Sequence, residues 1–491
     1  MNRRLTLTLL LAASLLPAQS IPPRPEQLTY KPVTFQAPRA KDFKATLKNG
    51  IPVYIAPDPA GQPLVRVAIL VRGGSYLDPM GKEGLADLTG DLMRMGGTLK
   101  MPAEKLDERL EFLAAELNTS LGQTSGTVYL ETLEKDVPEG LDLLMQVLTE
   151  PAFAQERLDL AKKNARQALD RRNDSVTSIA QIQMPFLLNG EQHFTARSMT
   201  AASLDSITRE DLQSFHARLV HPSNLVVAVS GKVDKKAILD RLNRTLGALK
   251  PGKAAVASPK PQAPDFTRKP GVYVVDKDVP QSMVQFAIPG LRRSDPDWHA
   301  VQVMNQVLGG SGFTSRLMKK IRSDEGLTYG IGTRYSEGPY WRGDLSCGFQ
   351  TKNSSVAYAM RLALDIIDGM KTTPVPAEEL KVIQDGIIES FPSQFSNRQA
   401  IARLFASEQL SGWPEDFYAN YREKILGVTA ADVQRVAKKY LTPEQMVLLV
   451  VGKADEAVAG DKAHPGTLAE VVKLPLTRLP LRDPLTLKPL K

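Results

Sequence analysis

The sequence predicts an α+β chain of two similar domains, each a mainly antiparallel sheet packed with helices. Three observations carry that expectation. The 491 residues exceed what one hydrophobic core usually organises. Residues 250–270, rich in Pro, Ala and Lys, fall almost midway and have the composition of a semi-stiff solvated linker. The segments on either side also repeat. Residues 207–234 (ITREDLQSFHARLVHPSNLVVAVSGKVD) align without gaps on residues 428–455 (VTAADVQRVAKKYLTPEQMVLLVVGKAD), at a constant offset of 221, with Thr208/Thr429, Asp211/Asp432, Pro222/Pro443, Gly231/Gly452, Lys232/Lys453 and Asp234/Asp455 identical.

From the N-terminus, Arg3 and Arg4 precede an apolar run over residues 5–16 and then Pro17, Ala18, Gln19 and Ser20. Charge, greasy stretch and small residues in that order predict a signal peptide over 1–20, hence an exported protein, periplasmic or secreted. The run is too short to span a bilayer, and no later segment competes, so no integral membrane segment is expected. Residues 21–45 are Pro-rich and basic and read as an extended lead-in. The N-terminal domain is expected over 46–249 and the C-terminal domain over 271–470. Apolar runs predict strands at 65–72, 225–230, 282–288 and 446–451, the second and fourth buried on both faces because their apolar residues are unbroken. Helical periods occupy 84–95, 103–117, 137–148, 154–172, 299–308, 354–370 and 377–390. In each repeat copy the Thr, three residues before an Asp, predicts a capped helix start. The tail, 471–491, alternates Leu, Pro and Lys/Arg with neither helical nor strand period. The single cysteine, Cys347, has no partner for an intramolecular disulfide.

Lys+Arg 62 against Asp+Glu 54 gives a net charge of +8. Two of those positive charges belong to 1–20, a net three to 21–45, a net four to 250–270 and a net four to the tail, which leaves the two domains about five net negative. The basicity sits in connectors, so no nucleic-acid partner is expected.

A family resemblance rests on ordered motifs. Leu47-Lys-Asn-Gly, a strand ending Arg72-Gly-Gly-Ser, then Gly84-Leu-Ala-Asp-Leu-Thr-Gly-Asp-Leu-Met-Arg-Met-Gly-Gly-Thr, Asn118-Thr-Ser, Thr127-Val-Tyr and Pro151-Ala-Phe are followed by Ser315-Arg-Leu-Met-Lys-Lys-Ile-Arg-Ser-Asp-Glu-Gly-Leu-Thr-Tyr. This set, from about residue 43 to 455, resembles the pitrilysin, insulysin and mitochondrial processing peptidase family of inverted zinc metallopeptidases. The resemblance implies a clamshell of the two domains. It also implies an HxxEH helix whose two His bind zinc and whose Glu is the base. Here the aligned positions are Asp87, Gly90 and Asp91, and the family's third ligand, a Glu on a later helix, falls at Ala168. Ligands and base are missing, so no metal cofactor is expected in this chain. Asp87 and Asp91, one turn apart, form a solvated acidic face or, with further ligands, a grip for a hard cation. The five His show no ligand spacing.

The resemblance further implies an Arg and a Tyr, seven residues apart, that hold substrate and steady the tetrahedral intermediate. Arg322 and Tyr329 have that spacing; their structural alternative is a charge at a helix end and a core strand residue. Gly309, Gly310 and Gly312 match the family's glycine-rich turn, which assists substrate handling in non-catalytic subunits; locally they permit a tight turn capped by Ser311 or Thr314. Asn118 is a further substrate-binding candidate. The sequence thus predicts a non-catalytic, substrate-binding subunit of a two-chain metallopeptidase. A homologous HxxEH-bearing partner subunit supplies zinc, this chain supplies Arg322 and Tyr329, and a peptide is the substrate. The alternative is a catalytically inert peptide-binding or scaffold protein of the same fold. A peptidase with an Asp-based metal site ranks last, since the motif holds no general base.

Overall fold

The computed structural model describes residues 35–250, 266–336, 340–415 and 417–490. The expected signal peptide, most of the lead-in and residues 251–265 of the linker lie outside them. The described residues from Ala37 onward form one compact unit holding two six-stranded sheets.

The N-terminal sheet comprises β1 (Lys44–Thr46), β2 (Pro52–Pro57), β3 (Leu64–Arg72), β4 (Glu116–Leu121), β5 (Ser125–Leu133) and β6 (Leu225–Gly231), ordered β1-β2-β6-β3-β5-β4. The C-terminal sheet comprises β7 (Gly271–Asp276), β8 (Gln281–Pro289), β9 (Ile331–Tyr335), β10 (Asp344–Lys352), β11 (Val447–Gly452) and β12 (Leu476–Leu479), ordered β12-β7-β11-β8-β10-β9. Pairing is antiparallel except β2 with β6, and β11 and β12 with β7. This is the α+β arrangement expected, twice.

Helices that position the site are α1 (Leu85–Met95), α2 (Gln155–Asp170), α3 (Val176–Asn189), α4 (Arg209–Leu219), α5 (Trp298–Asn305), α6 (Arg398–Ser411) and α7 (Ala430–Tyr440). The repeated Thr residues cap α4 and α7 as expected: Thr208 and Thr429 accept from the amides of Asp211 and Asp432, whose carboxylates accept from the Thr amides in return. The apolar runs of β6 and β11 are buried throughout. Their second cover is exchanged between halves. α6, from the C-terminal half, packs on β6, β2 and β3, while α3, from the N-terminal half, packs on β11 and β8. Val176, Ile179, Ala180 and Met184 of α3 join Val447, Leu449 and Val451 in one apolar cluster.

Two expectations are corrected. The helix expected over 103–117 ends at Phe112, because Ala114 adopts a left-handed φ of 47° that turns the chain, so Leu117 lies in β4. The tail, expected to lack regular structure, contributes β12, bounded by Pro475 and Pro480, at an edge where proline is tolerated. It then crosses to the N-terminal half. Arg172 Nη1 donates to the Pro484 carbonyl at 2.9 Å, Asn173 Nδ2 to the Arg482 carbonyl at 2.8 Å and the Ala201 amide to the Leu485 carbonyl at 2.8 Å. Leu485 packs on the N-terminal core.

Candidate functional site

α1 carries the positions aligned with HxxEH. Leu85, Leu88 and Leu92 face the core. The turn before the helix uses Gly84 at φ +100°. The buried Asp78 carboxylate accepts from the Gly84 amide at 3.0 Å and the Ala86 amide at 2.9 Å, anchoring the helix start. Burial pushes the Asp78 carboxyl up to about 7, against the pull of those two hydrogen bonds.

Asp87 and Asp91 are exposed on the opposite face. The walls beside them thin the surrounding water enough to raise both carboxyl pKa values, with the Asp91 charge adding to the rise at Asp87. Asp87 lines a cavity of about 490 Å³ together with Ala168 of α2, Asp78, Glu83, Arg172 and Arg197. The structure thus brings Asp87 and Ala168 together, as the alignment requires.

Gly90 is different. It is buried against the edge strand, where a Cβ would lie 2.5 Å from the Leu121 amide nitrogen, and Thr119 Oγ1 donates to the Gly90 carbonyl at 2.6 Å. Helix and strand backbones leave no room for a side chain at the position aligned with the family's base. Among the described residues no three of His, Cys, Asp and Glu gather as metal ligands. Two aspartates facing an alanine, with the base position filled by main chain, do not fit a zinc centre. The buried His216 bonds instead to the Leu148 carbonyl at 2.7 Å.

Arg322 and Tyr329 form a second group. Arg322 lies in a π turn (Met318–Asp324), and its Nε donates to the Tyr329 carbonyl at 2.7 Å. The guanidinium sits 4.6 Å from the Phe313 ring centre and 5.6 Å from that of Tyr329. Tyr329 is 93% exposed and lies in a loop before β9, so it is no core strand residue. It lines a cavity of about 690 Å³ with Gln281, Glu325, Gln350 and Lys352. That cavity shares no lining residue with the one at Asp87.

The glycines before this group serve packing. A Cβ at Gly309 would lie 2.6 Å from Thr333 Oγ1 of β9, and one at Gly310 would lie 2.7 Å from Asn305 Nδ2. Gly312, at φ +62°, turns the chain in open space. Ser311 and Thr314, expected as caps, instead donate to the Gln306 and Ser311 carbonyls. Asn118 is exposed on β4, the outer strand of its sheet, and its amide donates to Glu116 Oε1. The signals missed from sequence were Asp78, which reaches the helix amides across six and eight residues, and Arg197, whose Nη1 donates to the Asp78 carbonyl at 3.0 Å.

Comparison with known proteins follows the two halves. One family model, Insulinase (Peptidase family M16), matches residues 54–186, and another, Peptidase M16 inactive domain, matches residues 206–387. The "Non-peptidase homolog YmxG" of Helicobacter pylori is 29% identical over 313 residues, 62% of this chain and 71% of that protein. A crystal structure described as the peptidase M16 inactive domain from Pseudomonas fluorescens superposes with a TM-score of 0.74 at 22% identity, covering 83% of this chain and 97% of that one. A protease from Helicobacter pylori gives 0.73 at 19%, covering 83% and 98%. These two likenesses show the fold. With both halves matched and the motif order in place, the chain belongs to the M16 peptidase family, as a member without the HxxEH residues.

Proposed function

We propose that this chain is the non-catalytic, substrate-binding subunit of an exported two-chain metallopeptidase whose partner is a homologous HxxEH-bearing subunit. The observation that carries this reading is the contrast between the two groups. The chain's own base position is filled by the Gly90–Leu121 contact, while Tyr329 stands 93% exposed with Arg322 hydrogen-bonded to its carbonyl. A phenol and a guanidinium at a surface are donors for the oxygen of a peptide carbonyl as charge develops on it. The cavity at Tyr329 and the cavity at Asp87 share no lining residue. A second chain brings the metal and the base to this pair. The Helicobacter pylori relative named a non-peptidase homologue supports a role without catalysis by this chain alone.

The test is native co-purification, followed by peptidase assays on the assembled complex. Arg322→Ala and Tyr329→Phe are expected to lower kcat/KM by about 10²-fold each, the scale of one lost oxyanion donor. Full activity in the complex carrying both substitutions would overturn the proposal.

A specific observation favours the second reading, a peptide-binding or scaffold protein. β4 is an outer strand with Glu116, Asn118 and Ser120 exposed, a template for strand addition by an extended peptide. That reading holds if peptide binds the isolated chain and no HxxEH homologue co-purifies.

A further inference from the structure

The internal duplication places a second concave site in the C-terminal half. α1 and α5 both follow an Asp-Pro turn, Asp78-Pro79 and Asp295-Pro296. The third residue of each helix, Asp87 and Ala300, lines a cavity. The exchanged helices α3 and α6 both end at a glycine, Gly190 and Gly412, and Gly412 lines the C-terminal cavity. The C-terminal cavity is the larger, about 900 Å³, within the range of small-ligand sites.

Its lining has changed in kind. The N-terminal cavity sets Asp78, Glu83 and Asp87 beside Arg172 and Arg197, whereas this one sets Trp413, Phe417, His299 and four cations beside Asp295 and Asp432. Trp413 and Phe417 hold the Arg293 guanidinium 3.5 Å and 3.9 Å from their ring centres. Phe417 lies nearly parallel to His299, at 17° and 6.0 Å. Arg293 is fixed from behind by Tyr418 OH at 2.9 Å and by the buried Glu408 at 3.6 Å, so the aromatic wall is held in place before any ligand arrives. Arg435 is committed to Asp297 and Asp432. Arg292 and Lys424 also line the cavity, and neither forms an ion pair among the described residues. His299 Nε2 is buried in the wall without a partner, and burial with the Lys424 and Arg293 charges holds the ring neutral, its pKa near 4. An unmet buried nitrogen of this kind is costly to leave unpaired, and a hydrogen-bonding ligand recovers that cost.

We propose that the cavity between Arg292, His299, Trp413, Phe417 and Lys424 binds an aromatic carboxylate. The ring packs against the aromatic wall beside the stacked Arg293, the carboxylate meets Lys424 and Arg292, and His299 completes the hydrogen bonding. Asp295 and Asp432, also in the lining, oppose ligands of higher negative charge such as nucleotide phosphates. Two sources share this chemistry, a free aromatic acid and the C-terminal aromatic residue of a peptide. The site stands independently of any metallopeptidase partner.

The test is calorimetry on the full chain, with tryptophan fluorescence as a second signal. The probes are N-acetylphenylalanine and a short peptide ending in Phe, each compared with its C-terminal amide. Saturable binding of at least one acid is expected, with its amide about tenfold weaker, and the tighter probe assigns the source. Lys424→Ala with Arg292→Ala, both at exposed positions, is expected to weaken the acid about tenfold and leave the circular dichroism unchanged. The proposal is overturned if neither acid saturates by about 10 mM, if acid and amide bind equally, or if the double substitution leaves affinity unchanged.

Discussion

At Gly90 helix and strand lie so close that no Cβ fits, so a Glu side chain at this position has no room in the present packing. Gly90→Glu is expected to destabilise the chain by at least about 1–3 kcal/mol, the cost of overpacking. The triple variant Asp87→His, Gly90→Glu, Asp91→His is expected to show a lowered thermal midpoint and no peptide cleavage. The absence of HxxEH was legible because its spacing is local to one helix. The closed contact with Leu121 was not, since it joins segments thirty residues apart. Asp297 illustrates a residue whose role only the structure assigns. Burial alone would raise its carboxyl, but hydrogen bonds from Lys439, Arg435 and Tyr440 outweigh that and bring it down to about 2. A depressed carboxyl stabilises the fold above its unfolded pKa, near 3.8, and loses that contribution as pH falls towards 2. Asp297→Asn is therefore expected to cost about 1–2 kcal/mol at neutral pH, reduced by the exposure of Lys439 and Arg435. In urea melts the gap from wild type should narrow between pH 4 and pH 2.

Helices with their own start signals were readable, and helices whose burial depends on the other half were not. The capping pairs Thr208/Asp211 and Thr429/Asp432 follow from side-chain chemistry three residues apart, and both form. Thr429→Ala is expected to lower unfolding stability by about 1 kcal/mol in chemical denaturation, with Thr208→Ala similar, since the copies share one geometry. By contrast α3 carries an internal Pro185 and gains its stability from β11 and β8, far along the chain. The unbroken apolar runs of β6 and β11 announced burial on both faces. They left open that the cover comes from α6 and α3 of the opposite halves. The helix expected through Leu117 failed on one residue, because Ala114 is a strong helix former held left-handed by the turn into β4.

At the scale of the whole molecule, duplication has produced two sheets of one plan and two cavities of different chemistry. Helix exchange and the tail tie the halves together. Deleting residues 480–491 removes the contacts of Arg482, Pro484 and Leu485 with the N-terminal half, and the thermal midpoint is expected to fall by several degrees. The tail escaped the sequence reading because prolines and basic residues masked a four-residue edge strand. The family itself was legible from motif order across both halves. The claim on which the functional reading rests is that this chain has no metal chemistry of its own. The direct measurement is zinc content together with peptide cleavage, both on the purified full chain. The account predicts well below one zinc per chain and no cleavage. One zinc per chain, with cleavage abolished by chelation and restored by zinc, would contradict it.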